Sequence, residues 1–486
     1  MTSRSRSASS STPATEVSQS LAISFEGAAR TVTGSRHRIR FGDRSWLFDC
    51  GLYQGHRDEA ERVNQTFRFE PAELDAVVVS HAHLDHTGNL PTLVARGFRG
   101  RIHATPATAD LARVMLPDSA FLMERDVDHA NRRADRGQRP ARHPLYTAAD
   151  VETTLTRLET HGYHAPWELF PGVRVQYYDA GHMLGSALTV FEFESEGRRL
   201  KLGMSGDLGR PARPILRDPE VHPGVDALVM ESTYGDRLHP ESAESERLLA
   251  EAVIRTRARG GRVLVPAFAV GRTQELVSTL HALCEQRRVP DLPIYVDSPL
   301  ASQATAVFRH HPECFDAETR AAFETWNGVP FGFARLRFVG SAEESRALDQ
   351  HQEPCIIVSA SGMCEGGRIL HHLQHGLGDP RNTVVFVGFQ AEGTLGRRLR
   401  DGAETVSIFG EPVRRRAEVL SLEGFSAHAD QGELVGWAAH LDPPPRRIFL
   451  VHGELHAAQV LAEKLRETIG PEVLIPALGE AHELWN

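Results

Sequence analysis

The chain has 486 residues, 41% of them apolar and 24% charged, with a formal net charge of −10. That is a globular balance, long enough for two or three folding units, and no run approaches the roughly eighteen apolar residues that a membrane span needs. Five scattered cysteines (Cys50, Cys284, Cys314, Cys355, Cys364) exclude a disulfide framework and a paired-thiolate zinc motif, which points to a reducing cytoplasm.

In chain order, residues 1–20 are rich in Ser, Thr, Arg and Ala without an apolar segment, and read as a disordered tail, not a signal peptide. Alternating apolar residues then predict short antiparallel strands at Leu21–Phe25, Ser35–Phe41 and Ser45–Asp49, and an apolar strand at Asp75–Ser80. The charged stretch Glu124–Pro140 reads as a solvated helix or loop. Strand character returns at Tyr177–Gly181, Leu188–Phe193, Leu200–Met204 and Asp226–Glu231. After Gly235 the texture becomes regular strand–helix alternation. The helix Ser245–Arg259 leads to strand Arg262–Pro266, helix Arg272–Glu285 and strand Ile294–Asp297. Further strands follow at Cys355–Ser359 and Thr383–Gly388. This predicts a parallel α/β unit covered on both faces. The chain closes with helix Gln431–His440, strand Arg446–Val451, helix Leu455–Ile469 and a final strand near Val473.

Chemistry concentrates after the Asp75–Ser80 strand, in His81-Ala-His83-Leu-Asp85-His86. Imidazole and carboxylate donors without thiolate suit zinc, and also manganese or iron. In a tight turn, His81 and His83 can project to one side and Asp85 and His86 to the other, so one turn can address two metals. His182, Asp207 and His452 each follow a predicted strand, and strand ends converge on a common rim. Any one of these three, taken alone, is as readily a capping or core residue.

His81–His86, His182 and Asp207, with Asp49 in Phe-Asp-Cys-Gly ahead of them, resemble the metallo-β-lactamase fold. Glu231 in Met-Glu-Ser-Thr-Tyr-Gly, His428 in Phe-Ser-Ala-His-Ala-Asp and His452 resemble the three extra motifs of its nucleic-acid-processing β-CASP branch. Pro266–Glu275, Asp297–Ala301 and Ser359–Gly367 match blocks of the same branch, so the resemblance runs over residues 21 to 486. It implies a four-layer αββα core carrying an inserted parallel α/β domain. The expected division is 21–235 for the first part of the core, 236–426 for the β-CASP insert and 427–486 for the return to the core.

The resemblance further implies two Zn(2+) per chain: His81, His83 and His182 on one, Asp85, His86 and His452 on the other, and Asp207 bridging. Asp49 is expected behind the ligands, orienting an imidazole. A hydroxide bridging the metals would cleave RNA within the chain, to 5′-phosphate and 3′-hydroxyl ends. Glu231 and His428 would supply the leaving-group proton, although His428 read alone could simply cap the helix starting near Gln431. Ser359, Ser361, Gly362 and Arg272 are expected to contact substrate phosphate, with Arg397 and Arg398 as further contacts or plain surface cations. The expected partner is RNA, single-stranded, with no membrane and with a homodimer as the oligomer. A DNA nuclease of the same fold and a small-molecule metallo-hydrolase are the alternatives. A net charge of −10 implies that RNA contact is local, in a channel lined by arginine and metal.

Overall fold

The protein is described by a computed structural model covering residues 20–55, 57–134, 142–325, 331, 333–351 and 353–485. The tail expected over 1–20, apart from Ser20, and residues 135–140 of the charged stretch lie outside the described residues. Two seven-stranded sheets form the core. The first runs Ala481–Glu483, Leu21–Phe25, His37–Phe41, Arg44–Phe48, Ala76–Val78, Arg101–Ala104, Leu158–Thr160. The second runs Glu472–Leu474, Arg447–Val451, Ala227–Glu231, Arg198–Met204, Ala187–Ser195, Val173–Asp179, Trp167–Phe170.

Alternation along these strands assigns each face a different neighbour. Trp46, Phe48 and Val78 of the first sheet meet Phe191, Phe193, Met204 and Val229 of the second in one buried cluster between the sheets. The intervening residues face outward: Leu47, Val77 and Ile102 pack with Leu90, Leu93 and Phe98. On the other side Leu228, Met230, Ile448 and Leu450 pack beneath Leu434, Trp437, Leu461 and Leu465 of two helices, Gln431–Ala439 and Leu455–Thr468. The result is the four-layer αββα core.

A third sheet of six strands is parallel throughout, in the order Leu336–Phe338, Ile294–Asp297, Ile356–Ser359, Val263–Pro266, Thr383–Phe386, Glu418–Ser421. Both of its faces are buried, as parallel sheets require. One face is continuous with the core: Val265, Ala267 and Val270 share a cluster with Ala82, Met183 and Leu184. Those three residues adjoin His81, His83 and His182, so packing of the inserted sheet fixes the loops that carry the histidines.

The charged stretch, read as a solvated helix or loop, is helical as far as Ala134 and ends a 29-residue helix, Pro106–Ala134, which tolerates Pro117 inside it. The strand near Val473 is not the last: Ala481–Glu483 pairs antiparallel with Leu21–Phe25, giving the first sheet an edge from the chain's end. Only three residues long and without apolar alternation, that strand exists by pairing and not by pattern. Among the described residues no helix is long and apolar enough to cross a membrane.

The turn between Asp179 and Ser186 holds a buried acid. Burial pushes the Asp179 carboxyl up to about 7, with Glu220 adding to the rise and the Gly181 N–H (2.9 Å) opposing it. The folded state therefore keeps a proton that the unfolded chain releases near its ordinary carboxyl pKa. The group's stabilising contribution is complete at acid pH and is lost as pH rises towards about 7. We expect Asp179→Asn to remove that loss, so that the variant's thermal midpoint rises relative to the parent protein's between about pH 5 and 8 in parallel melts.

Candidate metal centre

Strand register brings the donors together. Phe48 pairs with Val78 in parallel, and Asp49 N–H donates to the Val78 carbonyl, so Asp49 and the turn beginning at Ser80 leave the first sheet side by side. In the second sheet Met204 pairs with Val229 and Glu231 with Val451, also in parallel. Asp207, Glu231 and His452 consequently emerge at one rim. The loops carrying His182 and Asp207 cross so closely that a Cβ on Gly209 would lie 2.1 Å from the Gly181 carbonyl. Glycine is required at that crossing.

On one side of Asp207, His81 Nε2 lies 3.1 Å from His83 Nδ1, and His182 Nε2 lies 3.3 Å from the same atom. Asp207 Oδ2 is 3.4 Å from His81 Nε2 and 3.5 Å from His182 Nε2. On the other side, Asp207 Oδ1 is 3.2 Å from His86 Nε2, which is 3.2 Å from His452 Nε2; Asp85 Oδ2 is 3.4 Å from that last nitrogen. The other six side chains named as ligands from the sequence are thus gathered around the Asp207 carboxylate. His81, His86, His182, Asp207 and His452 are buried, while His83 and Asp85 retain partial exposure.

Burial, followed by the neighbouring histidines, lowers the pKa of His81, of His83 (to about 3) and of His182, which leaves their lone pairs free for a cation. Burial also opposes charge on His86, but Asp207 and Asp49 override it and raise its pKa well above the usual imidazole value. Positive charge is therefore favoured between these two carboxylates.

A layer behind the donors fixes their tautomers. His86 Nδ1 is 2.7 Å from Asp49 Oδ2, which directs Nε2 towards Asp207. Asp49 itself accepts from the Ser80 N–H (2.8 Å) and the Ser80 hydroxyl (2.9 Å). The Thr233 hydroxyl lies 3.1 Å from His452 Nδ1. Ser80 and Thr233 escaped the sequence reading. Their adjacency to His81 and their place in Glu231-Ser-Thr were the available signals, too common in proteins to single them out.

Glu231 is fully buried and lies 3.1 Å from His428 Nδ1; its other oxygen accepts the Leu208 N–H at 2.6 Å, next to Asp207. His428 Nδ1 is 3.9 Å from Asp207 Oδ2. His428 does not cap the following helix: Asp430 does, in a reciprocal capping box with Glu433. Burial lowers the His428 pKa, yet Glu231 and Asp207 outweigh it and bring it up to about 9.

The loop ahead of His428 is gripped by arginines. Arg210 and Arg213 each donate to the Gly424 carbonyl at 2.8 Å, and Arg272 donates to the Phe425 carbonyl. Glu275 pairs with both Arg213 and Arg272, while Arg210 bonds Glu433. Arg272, expected on a phosphate, has its guanidinium engaged internally instead, because it starts a helix buried against that loop. Ser359 differs in the same way: its hydroxyl is buried and donates to the Asp297 carbonyl at 2.8 Å. Ser361 is half-exposed and accepts the Glu365 N–H, and Gly362 is buried against Phe268. Arg397 pairs with Asp401, and Arg398 is exposed.

Three family models match the chain. The metallo-beta-lactamase superfamily covers residues 38–172, the Beta-Casp domain 273–399, and the Zn-dependent metallo-hydrolase RNA specificity domain 412–476. Ribonuclease TTHA0252 of Thermus thermophilus is 40% identical over 454 residues, spanning 93% of this chain and 98% of the relative. The chain belongs to the β-CASP branch of the metallo-β-lactamase superfamily. Other relatives are the Transcription termination factor FttA of Methanocaldococcus jannaschii, 32% identical over 93% of this chain and 70% of its own length, and an RNase J-like protein of the same organism, 30% identical over 94% and 98%.

The residues present suit the metal cofactor of this metallo-hydrolase family. Imidazole nitrogens that face one another near 3 Å cannot all donate hydrogen bonds, and Asp207 Oδ1 is buried without a hydrogen-bond partner. Cations among them would satisfy both. Asp49→Asn keeps the shape of the orienting side chain but weakens its hold on His86. We expect metal affinity to fall by about 10- to 100-fold, measured by competition with a chromogenic chelator.

Proposed function

We propose that this protein is a zinc-dependent endoribonuclease holding two Zn(2+) per chain. The reading is carried by one arrangement: a histidine–glutamate pair, His428 and Glu231, set beside the carboxylate shared by two groups of metal donors. The names and the identity of the β-CASP relatives support RNA as the substrate. The expected division at 21–235, 236–426 and 427–486 is kept as part of the proposal, with single-stranded RNA reaching the central donors between core and insert.

In this reading His81, His83 and His182 hold one metal, Asp85, His86 and His452 the other, and Asp207 both. When bound, such a pair acidifies water and neutralises charge at the scissile phosphate. The protein's own contribution is orientation and proton transfer. Asp49 and Thr233 fix the tautomers of His86 and His452. His428 donates through Nδ1 to Glu231, and its remaining N–H is left to protonate the departing 3′ oxygen. Its elevated pKa keeps that proton in place at neutral pH. Breaking the P–O3′ bond with addition of water leaves a 5′-phosphate and a 3′-hydroxyl, without use of the ribose 2′-OH.

A circular RNA tests this, since a circle has no end for an exonuclease. With zinc it should be opened to linear products bearing 5′-phosphates, and chelator should stop the reaction. An intact circle beside degraded linear RNA would rule out endonucleolytic action, and equal cutting of DNA would rule out RNA selectivity. His428→Ala should retain its metals by elemental analysis while cleaving about 10²- to 10⁴-fold more slowly. Loss of metal in that variant would make His428 structural.

A further inference from the structure

Another group of donors lies on the far edge of the first sheet, outside the central site. His103 and Glu159 are directly opposed in the register of the strands Arg101–Ala104 and Leu158–Thr160, and His161 follows two residues on, on the same face. One donor atom from each residue lies within 4.8 Å of the other two. His103 Nδ1 is 3.0 Å from His161 Nε2, close to the 3.1–3.3 Å between facing imidazoles of the central site. Glu159 Oε1 is 3.8 Å from His161 Nε2, while its other oxygen is turned towards Arg101 at 3.9 Å.

We propose that His103, Glu159 and His161 form a separate binding site for zinc or a like divalent metal. Two imidazoles and one carboxylate are a donor set suited to zinc, with solvent completing the shell. The site is built before a metal arrives. His161 stacks on Trp167 with centroids 3.9 Å apart and planes within 5°, which fixes its ring. His103 is buried, and the Tyr177 hydroxyl donates to its carbonyl at 3.0 Å. Glu159 is exposed and His161 partly so, which gives a hydrated ion a way in. Trp167 belongs to the edge strand of the second sheet, so a metal here ties the outermost strand of the first sheet to its neighbour where the two sheets open to solvent. Its role is stabilisation of that edge, remote from cleavage.

The test is zinc per chain at equilibrium, by dialysis of the full-length protein against a fixed micromolar free-zinc concentration. His161→Ala and Glu159→Ala should each hold one zinc fewer than the parent protein, should lose part of the rise in thermal midpoint that zinc gives, and should keep its cleavage rate. Equal zinc content in all three proteins would overturn the proposal. The readout is a difference between chains, so it stands whatever the central donors bind. Glu159 is on the surface, and its variant carries the comparison if His161→Ala fails to fold.

Discussion

Asp207 is an ionised carboxylate with almost no access to water, and the rest of the site is arranged around the cost of that burial. Burial pushes its pKa up, but His452, His86 and His81 more than offset this and keep it charged. Its oxygens face opposite ways, Oδ2 towards one group of imidazoles and Oδ1 towards the other. A carboxylate so placed is stable only while positive charge lies on both sides of it, which is the electrostatic demand that a pair of divalent cations meets.

Meeting that demand requires both sheets and the inserted domain at once. The first sheet brings His81 to His86, the second brings Asp207, Glu231 and His452, and the parallel registers hold their ends level. Neither set is fixed by its own sheet alone. Ala82, Met183 and Leu184 are packed into the same hydrophobic cluster as Val265 and Val270 of the insert, so displacing the inserted sheet would disturb the histidine loops directly. Arg210 on the Gly424 carbonyl and Arg272 on the Phe425 carbonyl hold the loop just ahead of His428. His428 and the candidate metal donors are thereby positioned by one continuous body of packing.

The arginine bias of the chain takes on a different meaning in this setting. Near the centre the guanidinium groups of Arg210, Arg213 and Arg272 are engaged by carbonyls and by Glu275 and Glu433. They hold the loop that bears His428, a task suited to a planar group with several fixed donors. A net charge of −10 is compatible with binding a polyanion only where charge is locally reversed. The central donors would provide such a place when they hold cations, and Arg210, Arg213 and Arg272, engaged within the protein, do not extend it.

The sequence by itself determined the chemistry of the donors and the order of the strands. Histidine and aspartate after apolar β-branched runs could be read as ligands at strand ends, because side-chain type and a period of two are local properties. The parallel α/β insert was legible for the same reason, whereas the αββα core followed from the resemblance that the donor motifs carry. What only the tertiary structure decided is which side chains spend their hydrogen-bonding capacity inside the protein. Ser359 and Arg272 carry the right groups for a phosphate, yet the Asp297 carbonyl claims the first, and the Phe425 carbonyl on another element, with Glu275 one turn along the same helix, claims the second. Ser80 and Thr233 look ordinary in sequence and become orienting groups only once the strands beside them are in register. The strand Ala481–Glu483 has no pattern to announce it and is made by the edge it completes. Donor identity is written residue by residue, whereas the partner of most of these polar atoms depends on contacts between segments tens to hundreds of residues apart.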